Sequence, residues 1–205
     1  ASLLEAMEEK QVTVDGSTYE LSKPFMVIAT QNPIDYLGTY NLPEAQLDRF
    51  MMKISIGYPH ISDEQVMTDR FLKKEFEGKL EPVVSQEDIL KMQGEVEQVK
   101  VSRDLINYIT KIIQETRKDN NISLGASPRA TLALVRASQA RAYVEGRPYC
   151  TPDDIIGLIE PVIVHRIIIS PEARLGQSKA DKFIREIVKK IRSEEHTSEL
   201  QSPLI

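Results

Sequence analysis

Val27-Ile28-Ala29-Thr30-Gln31-Asn32-Pro33, followed after a short loop by Leu42-Pro43-Glu44-Ala45-Gln46-Leu47-Asp48-Arg49-Phe50, decides how this chain folds. Pro24 leads an apolar run at residues 25–30 that is rich in β-branched side chains. Such a run predicts a strand buried on both faces, as in a parallel sheet. Asn32-Pro33 ends it, because a residue before proline avoids the helical region. Pro43 suits the first turn of a short helix that closes near Arg49. A buried strand that delivers an amide and a helix that delivers a guanidinium are parts of a phosphate-handling site. Yet no G-x-x-x-x-G-K-[ST] loop occurs among the 205 residues.

Upstream, two alternating runs flank Asp15-Gly16 in Gln11-Val12-Thr13-Val14-Asp15-Gly16-Ser17-Thr18-Tyr19-Glu20-Leu21. That pattern predicts a hairpin with a tight two-residue turn. Residues 1–10 are already helix-like, with Leu3, Leu4 and Met7 on one face and no cap in front. The helix is therefore expected to continue a chain whose upstream neighbours are missing. Downstream, residues 51–56 are a second strand candidate, closed by Gly57-Tyr58-Pro59.

From Ser62 the texture changes to helices alone. Ser62 with Gln65 reads as a capping box opening a helix to about Lys74. Ser85 caps residues 86–92, and Ser102 caps a helix to about Lys118 with Leu105, Ile106, Ile109, Ile112 and Ile113 as its apolar stripe. Ser127-Pro128 opens a helix to about Val144. Thr151-Pro152 opens one ended or kinked near Pro161, and residues 179–191 form the last. The fold class expected is α/β followed by all-α, with residues 1–59 carrying an incomplete sheet and residues 60–191 a helical bundle. Residues 192–205 are polar and resemble the translation of a common sequencing adapter, so they are expected to be a disordered tail foreign to the fold.

The bulk numbers bound the function. Hydrophobic content of 41% and charged content of 28% are ordinary for a soluble domain. A net charge of −5 argues against nucleic acid as the main partner. No run of apolar residues is long enough to span a membrane. The single cysteine, Cys150, excludes an internal disulfide and a cysteine-based zinc site, and His60 and His165 have no ligand-spaced partners. No metal site is expected.

Three residues carry candidate chemistry. Asn32 stands at the carboxyl end of a predicted strand, where open α/β sheets bind ligands; the plain alternative is a strand-closing Asn before a proline turn. Arg49 ends a short helix, where it either completes a phosphate site or simply complements the helix dipole and pairs with Asp48 or Glu44. Arg129 falls in a first helical turn, facing the positive end of the dipole. An anion between the two would relieve that conflict; a solvated side chain bending away is the alternative.

The pieces together resemble the MoxR family of AAA+ ATPases. The matching text includes Leu3-Leu4-Glu5-Ala6-Met7-Glu8-Glu9, Ala29-Thr30-Gln31-Asn32-Pro33, Gly38-Thr39-Tyr40, Leu42 to Phe50, Gly125-Ala126-Ser127-Pro128-Arg129, Thr151-Pro152-Asp153-Asp154 and His165-Arg166. The resemblance implies the C-terminal part of a P-loop AAA+ nucleotide-binding domain with a helical lid. It implies sensor 1 at Asn32, an arginine finger serving a neighbouring subunit at Arg49, and sensor 2 reaching the same subunit's nucleotide from the lid at Arg129. It also implies ATP and Mg²⁺ for the full-length parent and a ring of usually six subunits; a cytoplasmic location is expected, since the lone Cys150 fits a reducing cytosol. Chaperone-like remodelling or metalloenzyme activation would be the task, often with a von Willebrand factor type A domain partner.

The departure is the phosphate cradle: no Walker A loop or acidic Walker B pair is present, so the chain alone is expected not to hydrolyse ATP. A non-catalytic interaction module is the alternative reading. A DNA-binding helical domain is a third, disfavoured by the acidic balance.

Overall fold

The computed structural model of the chain describes residues 2–31, 42–74, 81–176 and 179–200. Helix α1 (Ser2–Glu9) leads into a hairpin of β1 (Gln11–Val14) and β2 (Ser17–Glu20). The strands pair antiparallel with Val14 opposite Ser17, which leaves Asp15 and Gly16 as a two-residue turn. Both have positive φ, 50° and 79°, as the mirror-image turn of a twisted hairpin requires. Glu5 of α1 accepts from the Thr13 amide at 3.2 Å and the Thr13 hydroxyl at 2.6 Å, fixing the helix against the hairpin.

After α2 (Glu44–Leu47) and α3 (Ile61–Lys73), the chain builds one packed bundle from α4 (Gln86–Glu97), α5 (Arg103–Thr116), α6 (Pro128–Val144), α7 (Pro152–Ile163) and α9 (Ala180–Leu200). The short β3 (Ile122–Leu124) and β4 (Ile168–Ile169) pair antiparallel at its edge, and α8 (Pro171–Leu175) follows them. On α5 the spacing of Leu105, Tyr108, Ile109, Ile112 and Ile113 puts all five on one buried stripe. Small residues on α6, Ala130, Ala137 and Ser138, let it pack closely between its neighbours. Ile155, Ile159 and Ile163 of α7 and Ile184, Ile187 and Ile191 of α9 complete the core. Each such side chain, fully removed from water, contributes roughly 1.5–3 kcal/mol before entropy is counted. Among the described residues the apolar core cluster runs from Val99 to Ile191.

Several helix starts follow the capping expectations. The Ser85 hydroxyl accepts from the Asp88 amide and the Asp88 carboxylate accepts the Ser85 amide in return. Ser102 caps α5 and Ser127 caps α6.

Five expectations fail. Residues 25–30 and 51–56 form no strand, and among the described residues no strand lies beside them to supply a ladder. Most of their side chains stay in water, Ile28 at 78% and Ile56 at 94% exposure, while Phe25 and Val27 are half-buried. The small sheets that do form are both antiparallel pairs. Ser62 is not a cap: α3 starts at Ile61 behind His60, two residues early, without a side-chain cap bond. Helix α4 runs through Gly94 to Glu97, because one interior glycine costs only about 1 kcal/mol. Helix α9 does not stop at Ile191 but continues to Leu200, covering residues expected to be a disordered tail; no Gly or Pro interrupts residues 192–200, so nothing breaks the ladder.

Candidate functional site

Asn32 lies outside the described residues, so its position stays an expectation from the sequence. The two arginines are described, and they meet. Pro43 stands just before α2, its carbonyl accepting from the Gln46 amide at 2.8 Å and the Leu47 amide at 3.1 Å. Past Leu47 the chain tightens, with the Arg49 amide on the Gln46 carbonyl and the Phe50 amide on the Leu47 carbonyl. That turn carries the Arg49 side chain inward, to 21% exposure, where Nη1 pairs with Oε1 of Glu8 on α1.

Arg129 reaches the same oxygen from the other side. Ser127 accepts the Arg129 amide at 3.2 Å as the cap of α6, and Pro128 opens the helix. The Arg129 Nη2 donates to Glu8 Oε1 at 2.6 Å, with the side chain 53% exposed. The conflict between a cation and a helix N-terminus is thus relieved by an anion, and that anion is the Glu8 carboxylate.

The start of α6 is itself anchored to α5. Thr116 accepts the Ala126 amide at 3.0 Å through its hydroxyl, and Arg117 Nε donates to the Ala126 carbonyl at 2.8 Å. Gly125 passes so close to α5 that a Cβ there would lie 2.7 Å from the Arg117 Cα.

A buried brace ties the Arg49 turn to the lid. Arg166, in the 3₁₀ turn Val164–Arg166 after α7, has only 2% of its side chain exposed. Its Nη1 donates to the Asp48 carbonyl at 2.8 Å and the Asp48 carboxylate at 2.9 Å, and its Nη2 donates to the Phe50 carbonyl. Asp48 also accepts the Ser127 hydroxyl at 2.9 Å. The Lys53 amide donates to the Pro161 carbonyl at 2.8 Å, and His165 Nε2 lies 3.2 Å from the Phe50 carbonyl. Burial pushes the Arg166 guanidinium down from its usual value while the Asp48 charge pushes it up; it remains a cation at any ordinary pH. Burial likewise pushes the His165 imidazole below its ordinary range.

Elsewhere the expectations are of a structural kind. Asp154 is buried and accepts both guanidinium nitrogens of Arg147, at 2.6 and 2.9 Å, along with the Thr151 amide at 2.7 Å. Burial works to raise its carboxyl, and the Arg147 and Thr151 bonds outweigh that and hold it low. It caps α7 and pairs with a cation rather than acting as an acid–base group. The Cys150 thiol is buried and pushed up by desolvation first and the Asp154 charge second, so it is no activated nucleophile. Among the described residues no group of three His, Cys, Asp or Glu is placed to hold a metal, and no helix is long and apolar enough to cross a membrane.

Sequence reasoning named Arg49 and Arg129, offered Asp48 only as a surface partner of Arg49 where the structure pairs it with Arg166, and gave no role to Glu8 or Arg166. One signal was available for Arg166: His165-Arg166 interrupts an otherwise apolar run at residues 162–169, and a charge in such a run demands a partner.

Residues 1–52 match the profile of the ATPase family associated with various cellular activities (AAA), and residues 114–187 that of the AAA lid domain. The chain is 44% identical over 192 residues to YeaC, an uncharacterized protein of Bacillus subtilis, across 94% of this chain and 60% of YeaC. It is 34% identical to the chaperone MoxR1 of Mycobacterium tuberculosis, across 93% of this chain and 52% of MoxR1. The crystal structure of a proposed ATPase from Cytophaga hutchinsonii superposes with a TM-score of 0.85 at 37% identity, across 92% of this chain and 60% of that one. The chain therefore spans from about half to three fifths of the length of these relatives. An AAA segment bearing Arg49, a lid bearing Arg129 and MoxR relatives along most of its length make this chain a member of the MoxR family of AAA+ ATPases.

Proposed function

We propose that this chain supplies the arginine side of an ATP site in a MoxR-type remodelling ATPase. The observation that carries the reading is the convergence of Arg49 and Arg129 on one carboxylate oxygen. Two planar cations fixed around a single anion match the oxygens of a phosphoryl group. In phosphoryl transfer a guanidinium in this role accelerates the reaction by roughly 10³–10⁵. The shared counter-ion favours one phosphate as the target of both arginines, rather than separate sites in two subunits. Asn32 is proposed to orient the attacking water as sensor 1.

The division into a core at residues 1–59 and a lid at residues 60–191 belongs to this proposal, supported by profile matches that fall on either side of the boundary. So do a cytoplasmic ring, usually of six subunits, chaperone-like or metalloenzyme-activating work, and a partner with a von Willebrand factor type A domain. Mg²⁺, which would accompany ATP, finds no three-residue ligand set among the described residues. With no phosphate-cradling loop in its sequence, the chain alone is proposed to bind nucleotide weakly and turn over none.

Calorimetric titration with ATP tests the reading. Arg49→Ala and Arg129→Ala should each weaken binding by about tenfold, the loss of one charge-assisted contact. Equal affinity in the wild type and both variants would discard the proposal and leave the interaction-module reading.

A further inference from the structure

A third arginine, Arg166, bonds to the elements that carry Arg49 and Arg129. Arg166 grips the main chain on both sides of Arg49, at the Asp48 carbonyl (2.8 Å) and the Phe50 carbonyl. The same guanidinium holds the Asp48 carboxylate at 2.9 Å, and that carboxylate takes the Ser127 hydroxyl at 2.9 Å. Ser127 caps α6, and Arg129 is the second residue of that helix. One side chain thus links the turn that aims Arg49 to the cap that aims Arg129.

Its own helix end is rigid. The 3₁₀ turn carrying Arg166 follows α7 directly, and α7 is held by Ile155, Ile159, Val162 and Ile163 in the core. A buried guanidinium with fixed carbonyl acceptors has little freedom, so it transmits the position of α7 to both arginines. Covalent connection cannot do this, because Asp48 and Arg166 are 118 residues apart in the chain.

We propose that Arg166 is a positioning residue that sets the spacing of Arg49 and Arg129 for joint anion recognition. The assignment to phosphate rests on the function proposed above; the geometric part stands apart from it. Lysine in its place keeps the charge but loses the planar fork that spans two carbonyls.

The test follows the arginine Nε–H resonances of Arg49 and Arg129 by nitrogen-15 NMR in the full 205-residue chain, identified through Arg49→Lys and Arg129→Lys. In the wild type, Glu8→Gln should shift both resonances. In an Arg166→Gln or Arg166→Lys background it should no longer shift the two together. Tripolyphosphate is the anion probe: it should move both resonances in the wild type and bind about tenfold or more weakly in either Arg166 variant. Arg185→Gln, which removes an exposed partner of Glu160, should change neither result.

Helical circular dichroism checks that each variant is folded. If Arg166→Gln does not fold, Arg166→Lys and Ser127→Ala decide the matter. Ser127→Ala leaves Arg166 on the Arg49 turn and removes both the bond to Asp48 and the amide cap of α6, so Arg129 alone should lose its response. Folded Arg166 variants in which Glu8→Gln still shifts both arginines together would overturn the proposal. A wild type that ignores tripolyphosphate would overturn the phosphate reading instead, with the Glu8 response still deciding the positioning role.

Discussion

His165 is the residue whose charge the fold controls most simply. Burial is the main cause of its lowered imidazole value, and the nearby Arg166 and Lys53 charges add to it; bonds to the Phe50 and Pro161 carbonyls act the other way. Its Nδ1 is buried without a hydrogen-bond partner. The unfolded chain titrates this group near 6.5, so between that value and the lower folded one the unfolded state holds more protons. Stability from this source is full above about pH 6.5 and is lost as the pH falls through that window. The loss reaches about 1.4 kcal/mol for each unit by which folding depresses the group, a few degrees of melting temperature in a chain of this size. We expect the melting temperature of the wild type to fall more steeply between pH 7 and pH 5 than that of His165→Gln; parallel curves would contradict it. At this scale the sequence was informative where a residue conflicted with its local setting. Arg129 at a helix N-terminus did so, and the conflict led to an anion. Glu8 did not, because a glutamate on a helix surface is ordinary among 31 acidic residues. The Asp48–Arg166 pair spans 118 residues, a separation no local pattern can encode.

Elements follow the same logic. Helix starts were legible because a cap is a local transaction: Ser85, Ser102 and Ser127 each accept an amide two or three residues ahead. The Asp15-Gly16 hairpin was legible for the same reason. The two apolar runs at residues 25–30 and 51–56 were not, because a strand exists only with a neighbour, and the period of its side chains says nothing about whether one is there. Two glycines show how element contacts grade a substitution. At Gly125 a new Cβ would meet backbone, 2.7 Å from the Arg117 Cα and 2.8 Å from its nitrogen. Helix α5 cannot yield without moving, so Gly125→Ala should cost about 1–3 kcal/mol and shift the start of α6 with Arg129 on it. At Gly157 the Cβ would meet the Arg141 guanidinium, the free end of a long side chain that can swing away. Gly157→Ala should therefore cost less, under about 1 kcal/mol, and loosen the exposed Arg141 pairings with Glu145 at 3.3 Å and Asp154 at 3.7 Å. Chemical denaturation of both variants checks the order, and a larger loss at Gly157 would refute it.

At the scale of the whole molecule, packing and exposure divide along the sequence. The apolar core cluster lies within residues 99–191, while Met26, Ile28, Ile54, Ile56, Tyr58, Phe71 and Leu72 stand in water before it. The two parts are joined by polar contacts: the Arg166 brace, the Lys53 amide on the Pro161 carbonyl, and Glu8 between its arginines. Polar joints of this kind orient without hiding apolar surface, so the exposed side chains retain their full drive to leave water. A net charge of −5 spread over 205 residues opposes association only weakly once salt screens it. Residues 25–30 and 51–56 stand in no strand ladder, the Lys53 amide pairing instead with the Pro161 carbonyl, and so offer backbone groups to a partner in the same region. We therefore expect the chain to associate with itself in the μM–mM range, seen as concentration-dependent sedimentation. Ile54→Lys with Ile56→Lys should weaken that association and leave the melting temperature nearly unchanged, because neither side chain contributes to the core. A wild type that sediments as a monomer throughout that range would show that these side chains find cover within a single chain. Loss of melting temperature in the double variant would show the same from the other direction.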